Sequence, residues 1–295
     1  HTFLYPSMQK KLVGYGEKIG QHTDVQGSFE QLKHVEFIDQ NPIGRSSRSN
    51  PVTYIKAYDD IRALLSSQKV SKIRNYKPKH FSFNVEGGRC EVCKGDGVVT
   101  IEMQFMADVH LQCDTCNGKR FKKEVLEVNF EGKNIDDILK LTIDDAVAFF
   151  LEHNQTKIAG KLKPLQGVGL GYVQLGQSSS TLSGGEAQRI KLASFLVKGN
   201  TKDKALFIFD EPTTGLHFHD IKKLLASFNA LIEKGHSIIV IEHNIELIKC
   251  ADYIIDLGME GGKKGGELIF QGTPEELIKN KKSYTAKYLK EKLIS

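Results

Sequence analysis

Ala205-Leu-Phe-Ile-Phe-Asp-Glu-Pro-Thr-Thr-Gly-Leu216 opens on five apolar residues and closes on two adjacent carboxylates and a turn. A continuous apolar run bounded in this way reads as a strand buried on both faces. Parallel α/β sheets bind ligands at the carboxyl ends of their strands, so Asp210 and Glu211 are expected where a substrate sits. One carboxylate there can hold Mg²⁺ while the other polarises water. Downstream, Ile239-Val-Ile-Glu-His243 ends a second apolar run, expected to be a buried strand over 237–241 that delivers Glu242 and His243.

Upstream lies Thr181-Leu-Ser-Gly-Gly-Glu-Ala-Gln-Arg189. Ser183 and Glu186 have the spacing of a capping box, which starts a helix and leaves the Gly184 and Gly185 N–H groups free to face a phosphate. A further helix is expected from Asp220, with Ile221, Leu224, Leu225, Phe228, Leu231 and Ile232 at helical period and Gly235 as its stop. Residues 253–257 and 267–271 read as a terminal strand pair, with Gly261-Gly-Lys-Lys-Gly-Gly266 as its turn.

Four of the five cysteines form Cys90-x-x-Cys93 and Cys113-x-x-Cys116, separated by 19 residues. That spacing suits two knuckles closing a tetrahedral Cys₄ zinc site, and flanking glycines permit the tight turns this requires. Four protein ligands leave no open position, so the zinc is expected to be structural. Between the pairs, Val99, Ile101, Met103 and Phe105 alternate with Thr100, Glu102 and Gln104, as in a strand. Leu126-x-Val128-x-Phe130 alternates likewise before a turn at Gly132, and Thr142-Ile-Asp-Asp145 suits a helix N-terminus. Cys250 stands apart and reads as a buried free thiol.

The chain has 295 residues, 40% of them apolar, enough for one or two ordinary cores plus an insertion. No apolar run approaches the roughly 20 residues that span a bilayer, and no signal-peptide pattern is present, so a cytoplasmic location is expected. Net charge is +5, but residues 1–89 carry 14 Lys+Arg against 8 Asp+Glu, and the remainder is nearly balanced. Within that third, 62–80 contains no acid and includes Lys72, Arg74, Lys77 and Lys79 around Tyr76. Such a stretch suits a phosphate backbone, or else a solvated basic loop.

The order of these pieces resembles the ATP-binding-cassette (ABC) ATPases. Leu182–Arg189 matches that family's signature, Ala205–Glu211 its Walker B strand, Gly215–His217 its D-loop, His243 its switch histidine and Phe37-Ile-Asp-Gln40 its Q-loop. The resemblance implies an α/β core of the P-loop NTPase type. A P-loop itself, Gly-x-x-x-x-Gly-Lys-Ser/Thr, is missing: Asn117-Gly-Lys-Arg120 lacks the Mg²⁺-binding hydroxyl, and 261–266 precedes a strand. The first residues resemble the segment just after a Walker A loop. The chain is therefore expected to begin inside a domain and to hydrolyse ATP negligibly by itself.

A cassette with paired Cys-x-x-Cys knuckles inserted before its signature is more specific. With Asp39-Gln-Asn-Pro-Ile-Gly-Arg-Ser-Ser-Arg-Ser-Asn-Pro51, Phe81-Ser-Phe-Asn-Val85, 87–97, Leu175-Gly-Gln177 and Glu211-Pro-Thr-Thr-Gly-Leu-His217, it resembles the C-terminal half of the UvrA family, damage-recognition ATPases of bacterial nucleotide-excision repair. Three parts are then expected: cassette core over 1–50, a zinc-binding and DNA-contacting α+β insertion over 51–175, and cassette core again over 176–295. The resemblance implies ATP and Mg²⁺ as cofactors of the full-length protein beside structural Zn²⁺. It gives Gln40 and Asp210 to Mg²⁺, Glu211 to the attacking water and His243 to the γ-phosphate, while Ser183, Gly184 and Gly185 serve an opposing site.

Lys72, Arg74, Lys77 and Lys79 fall in the family's DNA-contacting region, although Asn75 and Lys77-Pro-Lys-His80 depart from its usual pattern. Implied partners are damaged double-stranded DNA, the N-terminal cassette, a UvrB-like repair subunit reached through the other half, and a second copy in a homodimer. Three alternatives stay open: a resistance paralogue, a transporter ATPase subunit, and a DnaJ-type zinc module. That last has more cysteine repeats and no cassette motifs.

Overall fold

The computed structural model describes residues 3–14, 25–44, 46, 48–101, 103, 108–197, 203–258 and 265–293. Seven strands lie within them: β1 Leu32–Ile38, β2 Val98–Ile101, β3 Val109–Gln112, β4 Lys204–Asp210, β5 Ser237–Ile241, β6 Ile254–Gly258 and β7 Glu267–Gly272. The chain forms two compact units, one from 1–39 with 200–295 and the other from 40–199.

In the first unit β1, β4 and β5 form a parallel sheet in the order β1-β4-β5. The apolar run of β4 takes the central place because it alone can be covered on both faces: Ala205, Leu206, Phe207, Ile208 and Phe209 are all buried. Met8 of the helix Leu4–Val13 packs with Val35, Leu206 and Ile208, and Phe209 meets Phe228 of the helix Phe218–Glu233 at 4.6 Å between ring centroids. Burial of each such side chain stabilises the layer by about 1.5–3 kcal/mol. Ile221, Leu224, Phe228 and Leu231 are the buried face of that helix, and Gly235 ends it at φ +87° with its N–H on the Ile232 carbonyl.

β5 departs from the buried strand expected there. It bounds the three-stranded sheet, and Ile239 and Ile241 are exposed. β6 and β7 pair antiparallel, as the terminal strand pair expected there, while 261–264 of the expected turn lie outside the described residues. Cys250 is exposed rather than buried, its thiol at 3.5 Å from the Glu246 carbonyl in the last turn of a short helix.

The second unit is mainly helical around Ile61, Leu65, Ile138, Ile143, Phe150, Leu162 and Leu165. Thr142 caps the helix Ile143–Glu152 through the Asp145 N–H, as its sequence indicates. The alternation at 126–130 is not a strand: Lys123–Leu126 is a short helix, and Phe130 bridges only Lys133 around Gly132 at φ +78°. Burial still alternates, with Val128 and Phe130 buried and Glu127 and Asn129 exposed, but among the described residues the segment has no ladder partner beyond that bridge. β2 and β3 form an antiparallel hairpin whose apolar residues, Val98, Val99, Ile101, Val109 and Leu111 among them, are exposed. Glu102, Gln104 and Phe105 of the predicted alternation lie outside the described residues.

This unit is wider at both ends than the insertion expected over 51–175. The Val52 N–H donates to the Leu175 carbonyl, and the Ser179 N–H donates to Ser49 at 2.7 Å. The Ser179 hydroxyl donates to Gly44 and Ser46. These bonds bind the segment after Gln40 to the approach of the helix Gly184–Val197, so both belong with the cysteine knuckles.

Candidate functional site

Parallel register brings two carboxyl ends side by side in the first unit. Asp210 is level with Ile241, so Glu211 leaves β4 where Glu242 and His243 leave β5. The Glu211 N–H donates to the Ile241 carbonyl at 2.9 Å, and the His243 Nε2 lies 2.9 Å from the Glu211 carboxylate. Glu211 adopts φ +45°, a left-handed conformation that costs a residue with a β-carbon about 1–3 kcal/mol. Its neighbours hold it there: Thr214 N–H donates to the Glu211 carbonyl, and Leu216 N–H to that of Thr213. The result aims a carboxylate and an imidazole at one point beyond the sheet.

Glu242, given no role from sequence, joins these turns. Its carboxylate accepts the Thr213 N–H at 2.8 Å, the Thr213 hydroxyl, the His243 N–H at 2.7 Å and the Asn244 N–H at 3.0 Å. Partial burial works against its ionisation, but those hydrogen bonds outweigh it and hold the acid below the usual glutamate range.

The signature residues lie in the second unit. Ser183 and Glu186 form the expected reciprocal cap: the Ser183 N–H donates to Glu186 at 2.8 Å, and the Glu186 N–H to the Ser183 hydroxyl at 3.3 Å. Tyr172 donates its hydroxyl to the other Glu186 oxygen at 2.6 Å. Burial opposes ionisation of Glu186, and the bonds from Tyr172 and Ser183 overcome it. Gly184 is required by space, since a β-carbon there would stand 2.9 Å from the Gln40 Cβ and 3.0 Å from its Oε1. The Q-loop glutamine and the signature glycine are thus in contact within one unit.

All four knuckle cysteines are buried, and their sulfurs lie within 4.8 Å of one another. Cys90 and Cys113 are 3.9 Å apart at sulfur, Cys93 and Cys116 3.6 Å. Four thiolates at the usual Zn–S length would stand about 3.8 Å apart in a tetrahedron, so the set fits a single ion. Backbone N–H groups of Cys116 and Thr115 draw the Cys113 thiol down to about 7, against its burial, while burial raises those of Cys90 and Cys116. The Gly97 N–H also points at the Cys93 sulfur, 3.3 Å away. Gly95, at φ +89°, admits no side chain: a β-carbon would stand 2.2 Å from the Phe83 carbonyl oxygen.

Two arginines tie this cluster to the motif-bearing segments. Arg48 meets Asp96, between the knuckle glycines, through two parallel bonds of 3.0 and 3.1 Å. The hydrogen bond to Asp96 raises the guanidinium pKa despite partial burial. Arg120, just after the second knuckle, donates to the Gly176 carbonyl at 3.2 Å and lies over the Phe83 ring. Sequence reasoning singled out the stretches holding Arg48 and Gly176 but not these partners. An Asp within a cysteine turn and an Arg shortly after a Q-loop were the available signals.

The basic stretch forms the short helix Lys69–Ile73 and a 3₁₀ turn Pro78–Phe81, with Tyr76 stacked on His80 at 5.0 Å. Lys72, Lys77 and Lys79 are exposed and make no ion pair among the described residues. Arg74 differs, for it donates to the Glu124 carbonyl at 2.9 Å and pairs with Glu127.

A curated relative, UvrABC system protein A of Clostridium acetobutylicum, is 52% identical over 293 residues, 99% of this chain and 31% of that protein. The protein of the same name from Staphylococcus aureus (strain COL) is 53% identical over 98% of the chain and 30% of its own length. A crystal structure of UvrA2 from Deinococcus radiodurans superposes with a TM-score of 0.83 at 42% identity, covering 90% of this chain and 32% of that one. The chain belongs to the UvrA family of ABC ATPases. It spans about a third of the length of the UvrA relatives it matches. No family model matches the chain. The UvrA match runs over 99% of the chain and so covers both units. No helix among the described residues is long and apolar enough to cross a membrane.

Proposed function

We propose that this chain is the C-terminal cassette region of a cytoplasmic ATPase that recognises distorted DNA in bacterial nucleotide-excision repair. The observation that carries the reading is the single unit in which the cysteine cluster, the basic stretch, Gln40 and the signature Ser183-Gly184-Gly185 lie together. A DNA-facing surface and a nucleotide-facing motif on one body suit a protein that couples the two. The same half carried by a resistance paralogue would share this arrangement, and damage-dependent binding separates the two.

In this reading Asp210 and Gln40 serve Mg²⁺, which when bound neutralises phosphate charge. Glu211 accepts the hydrogen bond of the attacking water, and His243, bonded to Glu211, donates toward the γ-phosphate. Ser183, Gly184 and Gly185 present hydroxyl and N–H donors at the start of a 14-residue helix to a phosphate held by an opposing P-loop. No P-loop run occurs among these 295 residues, so the chain by itself turns over ATP negligibly. Its P-loops, its contact with a UvrB-like subunit and its dimer partner come with the remainder of a protein about three times as long. Cys90, Cys93, Cys113 and Cys116 hold a structural zinc, and Lys72, Arg74, Lys77 and Lys79 meet DNA phosphates. Phosphate contacts carry little sequence information, as recognition of damage in any sequence requires.

The test is ATP turnover by the full-length protein, by its Glu211→Gln variant and by this chain alone, with and without a lesion-bearing duplex. Turnover by the full-length protein that the duplex changes and Glu211→Gln lowers to a small residual rate supports the reading. Turnover by the isolated chain, or indifference to DNA, contradicts it.

A further inference from the structure

Glu242 has no part in the reaction as set out above, yet both its oxygens are filled by donors from two separate turns. Thr213, two residues beyond Glu211, supplies its N–H and hydroxyl to one oxygen. His243 and Asn244 supply their N–H groups to the other. An ionised carboxylate has about four acceptor positions, and here four donors occupy them. The two turns are 29 residues apart in sequence and meet only after β4 and β5 align.

The placement matters because each turn carries one half of the Glu211–His243 pair. Glu211 sits at φ +45° and is fixed on its own N–H side by the β5 carbonyl of Ile241. On its carboxyl side the next anchored residue is Thr213, and its anchor is Glu242. His243 is held through its N–H by the same carboxylate. Removal of Glu242 therefore unlinks the two turns, leaving four donors, three backbone N–H groups and one hydroxyl, without their acceptor. Glutamine cannot replace it cleanly, since its amide NH₂ would face two donors where an oxygen now accepts.

We propose that Glu242 is a positioning residue for ATP hydrolysis, setting the separation and aim of Glu211 and His243 by clamping Thr213 to the His243 backbone. The inference rests on the ATPase reading above. Glu242 touches no reacting atom in this scheme and acts through Glu211.

The experiment uses the full-length protein with Glu242→Ala, Glu242→Gln and Thr213→Val, beside the parent and Glu211→Gln, each with its melting curve recorded. A displacement of about 1 Å in a reacting group can cost on the order of 100-fold in rate. Glu242→Ala is expected to lower kcat by about that factor with the KM for ATP within about twofold, and Glu242→Gln by an intermediate factor. Thr213→Val keeps its N–H bond and is expected to lose less than about 10-fold, one of two bonds to that oxygen remaining. Added to Glu211→Gln, Glu242→Ala is expected to cost nothing further, as befits a residue acting through Glu211. If Glu242→Ala does not fold, Glu242→Gln is held to the same criteria of kcat, KM and non-additivity. A kcat preserved in the folded variants, a loss that tracks only the folded fraction, or costs that multiply in the double variant would overturn the inference. A parent protein without ATP turnover would overturn the ATPase reading itself, and this inference with it.

Discussion

Separating Arg48 from Asp96 tests whether the cysteine knuckles and the segment after Gln40 act as one body. Each partner is about one-quarter exposed, and the guanidinium meets the carboxylate through two parallel bonds of 3.0 and 3.1 Å. A fully exposed pair is worth about 0.2–1 kcal/mol and a hydrogen bond to a charged group about 1.5–3 kcal/mol. This partly screened bidentate pair falls between them, at about 1–2 kcal/mol of coupling. The perturbation is a double-mutant cycle of Arg48→Ala, Asp96→Asn and both. Unfolding of the knuckle-bearing unit is followed by release of its metal to a coloured chelator under increasing denaturant. Each single variant should lose stability, and the double should lose less than their sum by that coupling energy. Agreement of the double with the sum to within about 0.3 kcal/mol would refute a direct bridge.

Replacing Cys116 with serine should remove the metal and expose 90–120 to proteolysis, because the β2–β3 hairpin has exposed apolar residues and no core of its own to replace metal binding of about 10–16 kcal/mol; retained zinc with an intact segment would contradict the site. Gly184→Ala should lower ATP turnover of the full-length protein by more than about 10-fold, since the new methyl group meets the Gln40 side chain at the signature, and unchanged turnover would show that this contact is dispensable. Asp60 is bonded by Lys157 at 2.8 Å and Lys161 at 2.6 Å; partial burial opposes its ionisation, and the lysines win, lowering its pKa. Its stabilising contribution is therefore complete above the unfolded value of about 3.9 and declines as pH falls below it through the folded value. Asp60→Asn should flatten that acid limb in denaturant titrations at pH 2–6, and an unchanged limb would remove Asp60 as its cause.

Much of the site was legible because it is written in short, local patterns. The buried run at 205–209 could only be a central strand, and Ser183 with Glu186 announced their cap three residues apart. Paired Cys-x-x-Cys turns carry their geometry with them. What escaped depends on distance in sequence. Nothing local links Arg48 to Asp96, Arg120 to Gly176 or Thr213 to Glu242; the first two tie segments near the signature helix to the knuckles, and the third joins the turns after β4 and β5. Exposure was misjudged at β5 and at Cys250, and at 126–130 the alternation was present without a strand partner. An apolar residue in a pattern says which face it is on, not whether another layer covers that face.

The most direct test of the central claim is fluorescence anisotropy of the protein on a lesion-bearing duplex and its undamaged twin across a salt series, with a Lys72→Ala/Lys77→Ala/Lys79→Ala variant alongside. Each phosphate contact contributes about 0.9 to the slope of log K against log salt. The account predicts tighter binding to the damaged duplex and a slope reduced by nearly 3 in the variant, one step for each exposed lysine. Equal affinity for the two duplexes, or a slope unaltered by loss of the three lysines, would contradict it.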